Sequence, residues 1–91
     1  MQAMEEIEVR PTRDRLLAMF RETASEVVEK DFGFVMESTG ISDLMIDSLG
    51  MLEIIGTLER RLSIQIPDES LSGLEKVKDL ITVVEGRLGE P

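Results

Sequence analysis

The serine at position 48 is the side chain whose sequence neighbours most suggest chemistry. It follows Asp47, a residue type favoured at the N-cap of a helix, and it precedes an amphipathic stretch. Its hydroxyl would therefore be exposed at a helix N-terminus, where backbone N–H groups and the helix dipole favour a bound or attached phosphate. Leu49 and Leu52 lie off the core face of this helix and leave an apolar strip beside the serine. We interpret this region as a docking surface around a modifiable hydroxyl.

The composition excludes several kinds of catalytic site. The 91 residues include no His, Cys, Trp or Tyr, so histidine bases, thiol nucleophiles, Cys/His zinc sites and Ser-His-Asp catalysis are all excluded. The sequence also has no glycine-rich phosphate loop and no calcium-loop spacing. We therefore expect no catalytic residue and no metal site. Any reactive group on this protein must be supplied from elsewhere.

The chain is small and acidic. Ten Lys and Arg against 19 Asp and Glu give a formal net charge of −9, which disfavours nucleic acid and anionic membranes and favours partners with basic surfaces. The longest apolar run, Leu16–Phe20, is far shorter than the roughly 20 residues that a transmembrane helix needs. The acidic start, Met1–Glu6, does not resemble a secretory signal, so we expect a cytoplasmic protein.

Apolar residues recur at helical spacing in three stretches. They predict helices over about 13–30, from Asp47 to about Leu62, and over about 77–88, the last ending near Gly89. The segment 63–67 predicts an extended connector, and Asp68–Leu71 a short helical turn. The predicted fold is all-α, a small helical bundle of three long helices and one short helix.

A long loop, residues 31–47, joins the first two predicted helices. Loops of this length in so small a domain are usually functional. Its apolar residues predict buried anchors, namely Phe32, Phe34, Val35, Leu44 and Ile46. Around one core we expect a single domain at 12–88, with a flexible N-terminal tail at 1–11 and a C-terminal tail at 89–91.

Two stretches of the sequence resemble an acyl carrier protein. They are Ser42-Asp43-Leu44-Met45-Ile46-Asp47-Ser48-Leu49 and Ile64-Gln65-Ile66-Pro67-Asp68-Glu69, with Glu53, Leu58, Glu59 and Leu62 between them. The Asp-Ser-Leu triplet alone is common at helix starts. Joined to a helix of the right length, the connector and a closing amphipathic helix, it becomes specific. The resemblance covers roughly residues 12–88 and implies the acyl-carrier type of helical bundle.

The resemblance implies a covalent cofactor. In that family the serine of Asp-Ser-Leu receives 4′-phosphopantetheine from coenzyme A through a phosphopantetheinyl transferase, and the thiol of the arm carries acyl groups as thioesters. Here the attachment residue would be Ser48. Asp47 stands where family members help the transferase hold its magnesium. A protein without Cys would thus acquire its thiol, and it would act as a carrier and not as an enzyme.

The resemblance also implies partners with basic surfaces. These are the transferase and a ketosynthase, acyltransferase or acyl-activating enzyme. The carrier residues that would meet them are Asp43, Asp47, Glu53, Glu59, Asp68 and Glu69, with Leu49 and Leu52 filling apolar notches. Weak, salt-sensitive contacts suit a shuttle, and we expect a monomer.

The sequence departs from the family pattern at several positions. Gly50 replaces a residue that is often acidic, Arg60-Arg61 interrupts the acidic surface, and Gly56 replaces a bulky apolar residue. Lys76 replaces the Ser or Thr expected to cap the last helix. Glu53 lies four residues after Leu49 and completes an Asp-Ser-Leu-x-x-x-Glu pattern. This pattern resembles stand-alone carriers of polyketide-type pathways more than those of primary fatty-acid synthesis.

Other interpretations stay open at this point. An aminoacyl or peptidyl carrier of a nonribosomal pathway uses the same chemistry, although the net charge and the Ile66–Glu69 connector favour an acyl carrier. In an unmodified helical adaptor, Ser48 would be only a helix-start residue and the strip of Leu49 and Leu52 would bind one partner. The aliphatic, Met-containing interior also leaves open whether an acyl chain enters the core or the core is simply filled.

Overall fold

The computed structural model describes residues 11–89, which form three α-helices. Helix α1 spans Arg13–Val28, α2 spans Ser48–Leu62 and α3 spans Val77–Leu88. Two short 3-10 turns, Ile41–Leu44 and Asp68–Leu71, lie in the connections. The described residues contain one isolated bridge, between Gly40 and Lys76, and no strand. The all-α prediction is confirmed for this range. Ten residues of the predicted N-terminal tail and the last two residues of the chain lie outside it.

The predicted short fourth helix is corrected to a single 3-10 turn. Within Asp68–Leu71 the turn is closed by the Ser70 N–H, which donates to the Pro67 carbonyl at 2.9 Å. Gly73, at φ +80°, then reverses the backbone soon afterwards. The few residues between Pro67 and Gly73 leave no room for the repeated bonds of an α-helix. The bundle therefore has three α-helices and two short turns.

Helix α1 supports both of the other helices, because it packs against α2 and against α3. It begins after Thr12, whose hydroxyl accepts from the Arg15 N–H, and it closes at Glu29 in the left-handed conformation. Helix α1 thus ends two residues before the predicted boundary.

The hydrophobic core contains one aromatic ring and is otherwise aliphatic. Its buried members are Leu16, Phe20, Ala24, Val35, Leu44, Ile54, Ile55, Leu58, Ile66, Val77, Leu80, Ile81 and Val84.

The long loop is only partly anchored as predicted. Val35 and Leu44 are buried, and Phe32 and Ile46 are partly buried against the core. The prediction for Phe34 is wrong, since its side chain is 79% exposed. Gly33 turns the chain at φ +71° just before it, and Val35 takes the inward position, so the neighbouring ring faces solvent.

The loop is fixed to the start of α3 by backbone hydrogen bonds. The Val77 N–H donates to the Thr39 carbonyl and the Lys78 N–H to the Glu37 carbonyl, both at 2.9 Å. In return, the Ile41 N–H donates to the Glu75 carbonyl at 2.8 Å. These bonds fix the position of the first 3-10 turn and of the chain that leads into α2.

None of the described helices is long and apolar enough to cross a membrane.

Candidate functional site

Asp47 fixes the start of α2, as the sequence predicts. Its backbone is extended, and its carboxylate accepts from the Gly50 N–H at 2.7 Å. Its carbonyl accepts the first helical bond, from the Met51 N–H at 2.9 Å. Ser48 is therefore the first residue of α2, and its side chain is exposed. A transferring enzyme could reach this hydroxyl without moving the fold.

Two backbone donors at this helix start have no partner among residues 11–89. Neither the Ser48 N–H nor the Leu49 N–H forms a hydrogen bond there, whereas Gly50 and Met51 are bound to Asp47. Free N–H groups in the first turn, together with the helix dipole, favour an anionic oxygen. The site therefore fits a phosphodiester on the Ser48 hydroxyl.

Exposed apolar side chains lie near Ser48 in the chain. Leu49 and Leu52 are 69% and 58% exposed, in agreement with the strip predicted from the helical projection. Met45, which the sequence analysis did not single out, is 81% exposed. Its exposure could not be predicted from periodicity, because it closes a 3-10 turn inside an irregular loop.

A cleft of about 370 Å³ opens beside Ser48. Its walls come from α2, from the loop before α2 and from the segment that leads to α3. Apart from the serine they are all aliphatic: Ile41, Ile46, Met51, Leu52, Ile55, Leu71 and Leu74. An apolar cleft that borders the candidate attachment residue can shelter a short hydrocarbon group from water.

The predicted acidic residues fall into two groups. Asp43 and Glu53 are exposed on either side of Ser48 in the chain, and Asp68 and Glu69 are exposed on the second 3-10 turn. That turn ends at Leu71, which lines the cleft with Ser48, so it lies on the same side of the molecule.

Glu59, like Asp47, is a predicted acid that also has a structural contact. It is only partly exposed, and its Oε2 accepts from the Ile66 N–H at 2.8 Å. This bond ties the end of α2 to the connector, where Ile66 is buried. Binding a partner's cation through the same oxygen would compete with this bond.

The two glycines of α2 have different environments. A Cβ on Gly50 would lie 2.9 Å from the Ile46 Cγ2 and 3.1 Å from the Asp47 Oδ1, the oxygen that caps the helix. A Cβ on Gly56 would meet only the Arg60 Nη1, at 3.6 Å. Close approach of the cap therefore explains Gly50, whereas no contact within the described residues explains Gly56.

The two arginines at the end of α2, Arg60 and Arg61, also have different contacts. Arg61 lies 3.5 Å from the Glu26 carboxylate of α1. Arg60 donates to the hydroxyl of Thr57 at 3.2 Å and forms no ion pair within residues 11–89. The exposed surface of α2 thus changes from acidic near Ser48 to basic at its far end.

The start of α3 is capped from inside the helix, which offsets the missing Ser or Thr at Lys76. The Asp79 carboxylate accepts from the Lys76 N–H at 2.9 Å and from the Glu75 N–H at 3.1 Å. These backbone bonds hold the pKa of the Asp79 carboxyl below its ordinary value.

An ion-pair network centred on Arg13 links three segments of the bundle. The Arg13 guanidinium lies 2.9 Å from a Glu37 carboxylate oxygen and 2.6 Å from one of Glu85, and so joins α1, the loop and α3. Its hydrogen bond holds the pKa of the Glu37 carboxyl below the ordinary range. The same two acids raise the pKa of Arg13.

The chain has clear relatives in sequence. Residues 14–84 match the family model described as the phosphopantetheine attachment site. The chain is 35% identical over 75 residues to the meromycolate extension acyl carrier protein of Mycobacterium leprae, a match that covers 81% of this chain and 65% of that protein. It is 43% identical over 49 residues to the acyl carrier protein of Helicobacter hepaticus, which covers 54% of this chain and 64% of that protein. The chain thus spans slightly less than two thirds of each of these relatives.

A solved structure shares the fold. The crystal structure of an acyl carrier protein from Thermotoga maritima superimposes with a TM-score of 0.77 at 37% identity, and the match covers 84% of this chain and 89% of that one. The fold and the family match thus define the class of protein as a phosphopantetheine-dependent carrier. This chain belongs to the acyl carrier protein family, whose members contain a phosphopantetheine attachment site.

Proposed function

We propose that this protein is an acyl carrier that holds its cargo as a thioester on a 4′-phosphopantetheine arm attached to Ser48. The observation that carries the proposal is the exposed Ser48 side chain at the first position of α2, beside two backbone N–H groups without partners among the described residues. When attached, the arm supplies the thiol that the sequence lacks. The protein itself then positions the arm and carries out no catalysis.

Attachment is a phosphoryl-group transfer onto the Ser48 Oγ. The Oγ–phosphorus bond forms, the phosphoanhydride bond of coenzyme A breaks, adenosine 3′,5′-bisphosphate leaves and the hydroxyl proton passes to a base on the transferase. Asp47 holds the helix start and adds a carboxylate beside the reacting hydroxyl, where it can help the transferase hold magnesium. The free N–H groups of Ser48 and Leu49 would then face the phosphodiester.

We propose basic enzyme surfaces as the partners of the acidic side of the molecule. The transferase and the enzymes that load, extend or release the acyl group, such as a ketosynthase, an acyltransferase or an acyl-activating enzyme, would meet Asp43, Glu53, Asp68 and Glu69, with Glu59 in a smaller role because of its bond to Ile66. Exposed charge pairs accelerate encounter and lose strength with salt, which suits brief contacts with several enzymes. Leu49 and Leu52 would fill apolar notches on those enzymes.

The names of the relatives favour an acyl cargo. One relative is a meromycolate extension acyl carrier protein and another an acyl carrier protein. The aliphatic cleft beside Ser48 supports an acyl over an aminoacyl cargo, since apolar walls offer no partner to an ammonium group. A higher melting temperature for a form bearing a medium-length acyl chain than for the free-arm form would support shelter in the cleft, and equal temperatures would contradict it.

The experiment that tests the proposal is loading followed by intact-mass measurement. The protein is incubated with coenzyme A and a broad-specificity phosphopantetheinyl transferase, together with a Ser48→Ala variant whose circular dichroism confirms the fold. The wild type should gain the mass of one arm, and the variant should gain none. No gain in the wild type would reject the carrier function and favour the unmodified adaptor.

Cargo class and cellular state need separate measurements. Acyl-activating or acyltransferase enzymes should load the thiol with fatty or polyketide-type acyl groups in preference to amino acids, and the reverse preference would establish an aminoacyl or peptidyl carrier. We further propose a monomer in the cytoplasm, with the carrier domain at 12–88. Sedimentation tests the monomeric state, and cell fractionation tests the location.

A further inference from the structure

A second groove lies between the end of α1 and the first turns of α2. Its volume is about 250 Å³, and it shares no lining residue with the aliphatic cleft beside Ser48. Because successive residues of an α-helix turn by about 100°, the α2 residues that line this groove lie on a different face of the helix from those that line the cleft. The residues that line the α1–α2 groove are Val27, Val28, Asp47, Leu49, Gly50 and Glu53.

Gly50 leaves room in the groove, because it contributes no side chain. A Cβ at this position would lie 4.0 Å from the Val28 Cγ2 of α1. Val28 is only partly exposed, yet it is not one of the partly buried residues that pack against the hydrophobic core. Core packing therefore does not account for this valine, and the groove is its surrounding.

The walls of the groove combine apolar and acidic groups. Methyl groups come from the two valines of α1 and from Leu49, whereas Asp47 and Glu53 supply carboxylates. Neither carboxylate forms an ion pair within residues 11–89, and that of Asp47 accepts only from the Gly50 N–H at 2.7 Å. No lysine or arginine lines the groove. The chain thus supplies both acids without a basic partner for either.

These walls fit a long basic side chain. An anion would be repelled by the two carboxylates, and a purely apolar group would cover them without giving them a partner, which is unfavourable. The side chain of lysine or arginine places its methylene groups against apolar walls while its charged head remains beside the carboxylates and water. Charge and hydrophobicity therefore select the same occupant.

We propose that the α1–α2 groove receives an arginine or lysine side chain from the enzymes that act at the start of α2, including the phosphopantetheinyl transferase. The identity of these enzymes rests on the proposed function, whereas the chemistry of the groove does not. The inference assigns Val27 and Val28 of α1 to partner binding, beside the acids of α2. It also gives Gly50 a role in docking, because its lack of a side chain leaves space for the inserted methylene groups.

The first test measures binding of an arginine side-chain mimic. The full-length ¹⁵N-labelled protein is titrated with n-butylguanidinium chloride and, separately, with guanidinium chloride at constant ionic strength. The amide signals of Leu49, Gly50 and Glu53 should shift, with a Kd for n-butylguanidinium about threefold or more below that for guanidinium, because the butyl chain leaves water. Equal dissociation constants, or shifts centred on other residues, would overturn the inference.

Substitutions in the groove separate its acidic and apolar contributions. Glu53→Gln and Val28→Thr should each weaken binding of n-butylguanidinium by about threefold, since one loses a charge and the other a methyl group. Glu69→Gln and Val83→Thr make the same changes on the second 3-10 turn and on α3, outside the groove, and should bind like the wild type. Circular dichroism confirms the fold of each variant. Equal weakening by a variant and its control would overturn the inference.

Loading from coenzyme A connects the groove to an enzyme. With the broad-specificity transferase, Val28→Thr should show a kcat/KM about threefold below that of the wild type, because the apolar contact with the inserted side chain is lost. Val83→Thr should load at the wild-type rate. Unchanged loading of Val28→Thr would overturn docking in the groove and leave the Ser48 assignment intact. A wild type that binds n-butylguanidinium but gains no mass would instead reject the carrier function and, with it, the enzymes named as partners.

Discussion

The starts of α2 and α3 are both capped by an aspartate carboxylate, but they differ in how their first amides are bound. The carboxylate of Asp47, just before α2, accepts from the Gly50 N–H within the helix. The carboxylate of Asp79, within α3, accepts from the Lys76 and Glu75 N–H groups before the helix. At α3 the next amides, of Val77 and Lys78, are bound to loop carbonyls. At α2 the amides of Ser48 and Leu49 have no partner among the described residues. One start is bound into the fold, and the other has unpaired amides beside the proposed attachment residue.

Replacing each aspartate in turn should distinguish the roles of the two helix starts. Asp47→Ala should lower the kcat/KM for loading by about tenfold or more, because a charged group beside the reacting hydroxyl is lost. Asp79→Ala should lower the melting temperature and leave loading unchanged. Loading kinetics and thermal denaturation of the two variants check this.

Asp47→Asn provides the control for this pair. Asparagine caps a helix about as well as aspartate, so this variant should melt like the wild type and still load slowly. Normal loading of Asp47→Asn would mean that Asp47 acts only as a cap, and the contrast between the two starts would then rest on Ser48 alone.

Acid should weaken the α3 side of the molecule. The folded-state pKa values of Glu37 and Asp79 lie below their ordinary values, so their contribution is present above the unfolded values of about 4 and is lost as the pH falls through the folded ones. Glu37→Gln should therefore melt a few degrees below the wild type at pH 7, and this difference should close below about pH 4. A constant difference from pH 7 to pH 3 would contradict the role of the Arg13–Glu37 pair.

The two glycines of α2 should respond in opposite directions to alanine. Gly56→Ala should raise the free energy of unfolding by about 0.5–1 kcal/mol, because the added methyl group meets no crowding and helical glycine is unfavourable. Gly50→Ala should lower it by about 1 kcal/mol, since the new Cβ presses on Ile46 and on the cap oxygen. Urea denaturation measures both changes. A stabilised Gly50→Ala would show that the start of α2 accommodates the added Cβ without crowding Ile46 or the cap oxygen.

The smallest effect is expected in α1, which supports both starts. Thr23 is fully buried, and its hydroxyl has no hydrogen-bond partner among the described residues. Thr23→Val keeps the shape and removes the unsatisfied group, so the free energy of unfolding should rise by roughly 0.5–1 kcal/mol. Loading should not change. A destabilised variant would mean that the hydroxyl is satisfied by water.

Residue type and helical periodicity predicted the features that depend on residues close together in the chain. Asp47 as an N-cap, the boundaries of α2 and the exposed strip of Leu49 and Leu52 all follow from residue type and helical projection. The predicted fourth helix was wrong because four residues next to Pro67 close only a 3-10 turn. The burial expected of Phe34 was wrong because Val35, its neighbour, takes the inward position.

The sequence patterns did not predict contacts between segments that are far apart in the chain. The bond from the Ile66 N–H to Glu59, which gives a predicted partner residue a structural role, depends on how the connector folds back. The bonds between the loop and the start of α3 join residues about 40 positions apart. The exposure of Met45 depends on a turn that apolar periodicity does not indicate. The sequence thus predicts the site residue better than its surroundings.

The most direct test of the central claim is peptide mapping of the loaded wild-type protein. After incubation with coenzyme A and the transferase, the protein is digested and the fragment spectra of the modified peptide are read residue by residue. The account predicts a single phosphopantetheine, carried by Ser48. An arm on another serine, such as Ser42 or Ser63, with Ser48 unmodified would contradict it.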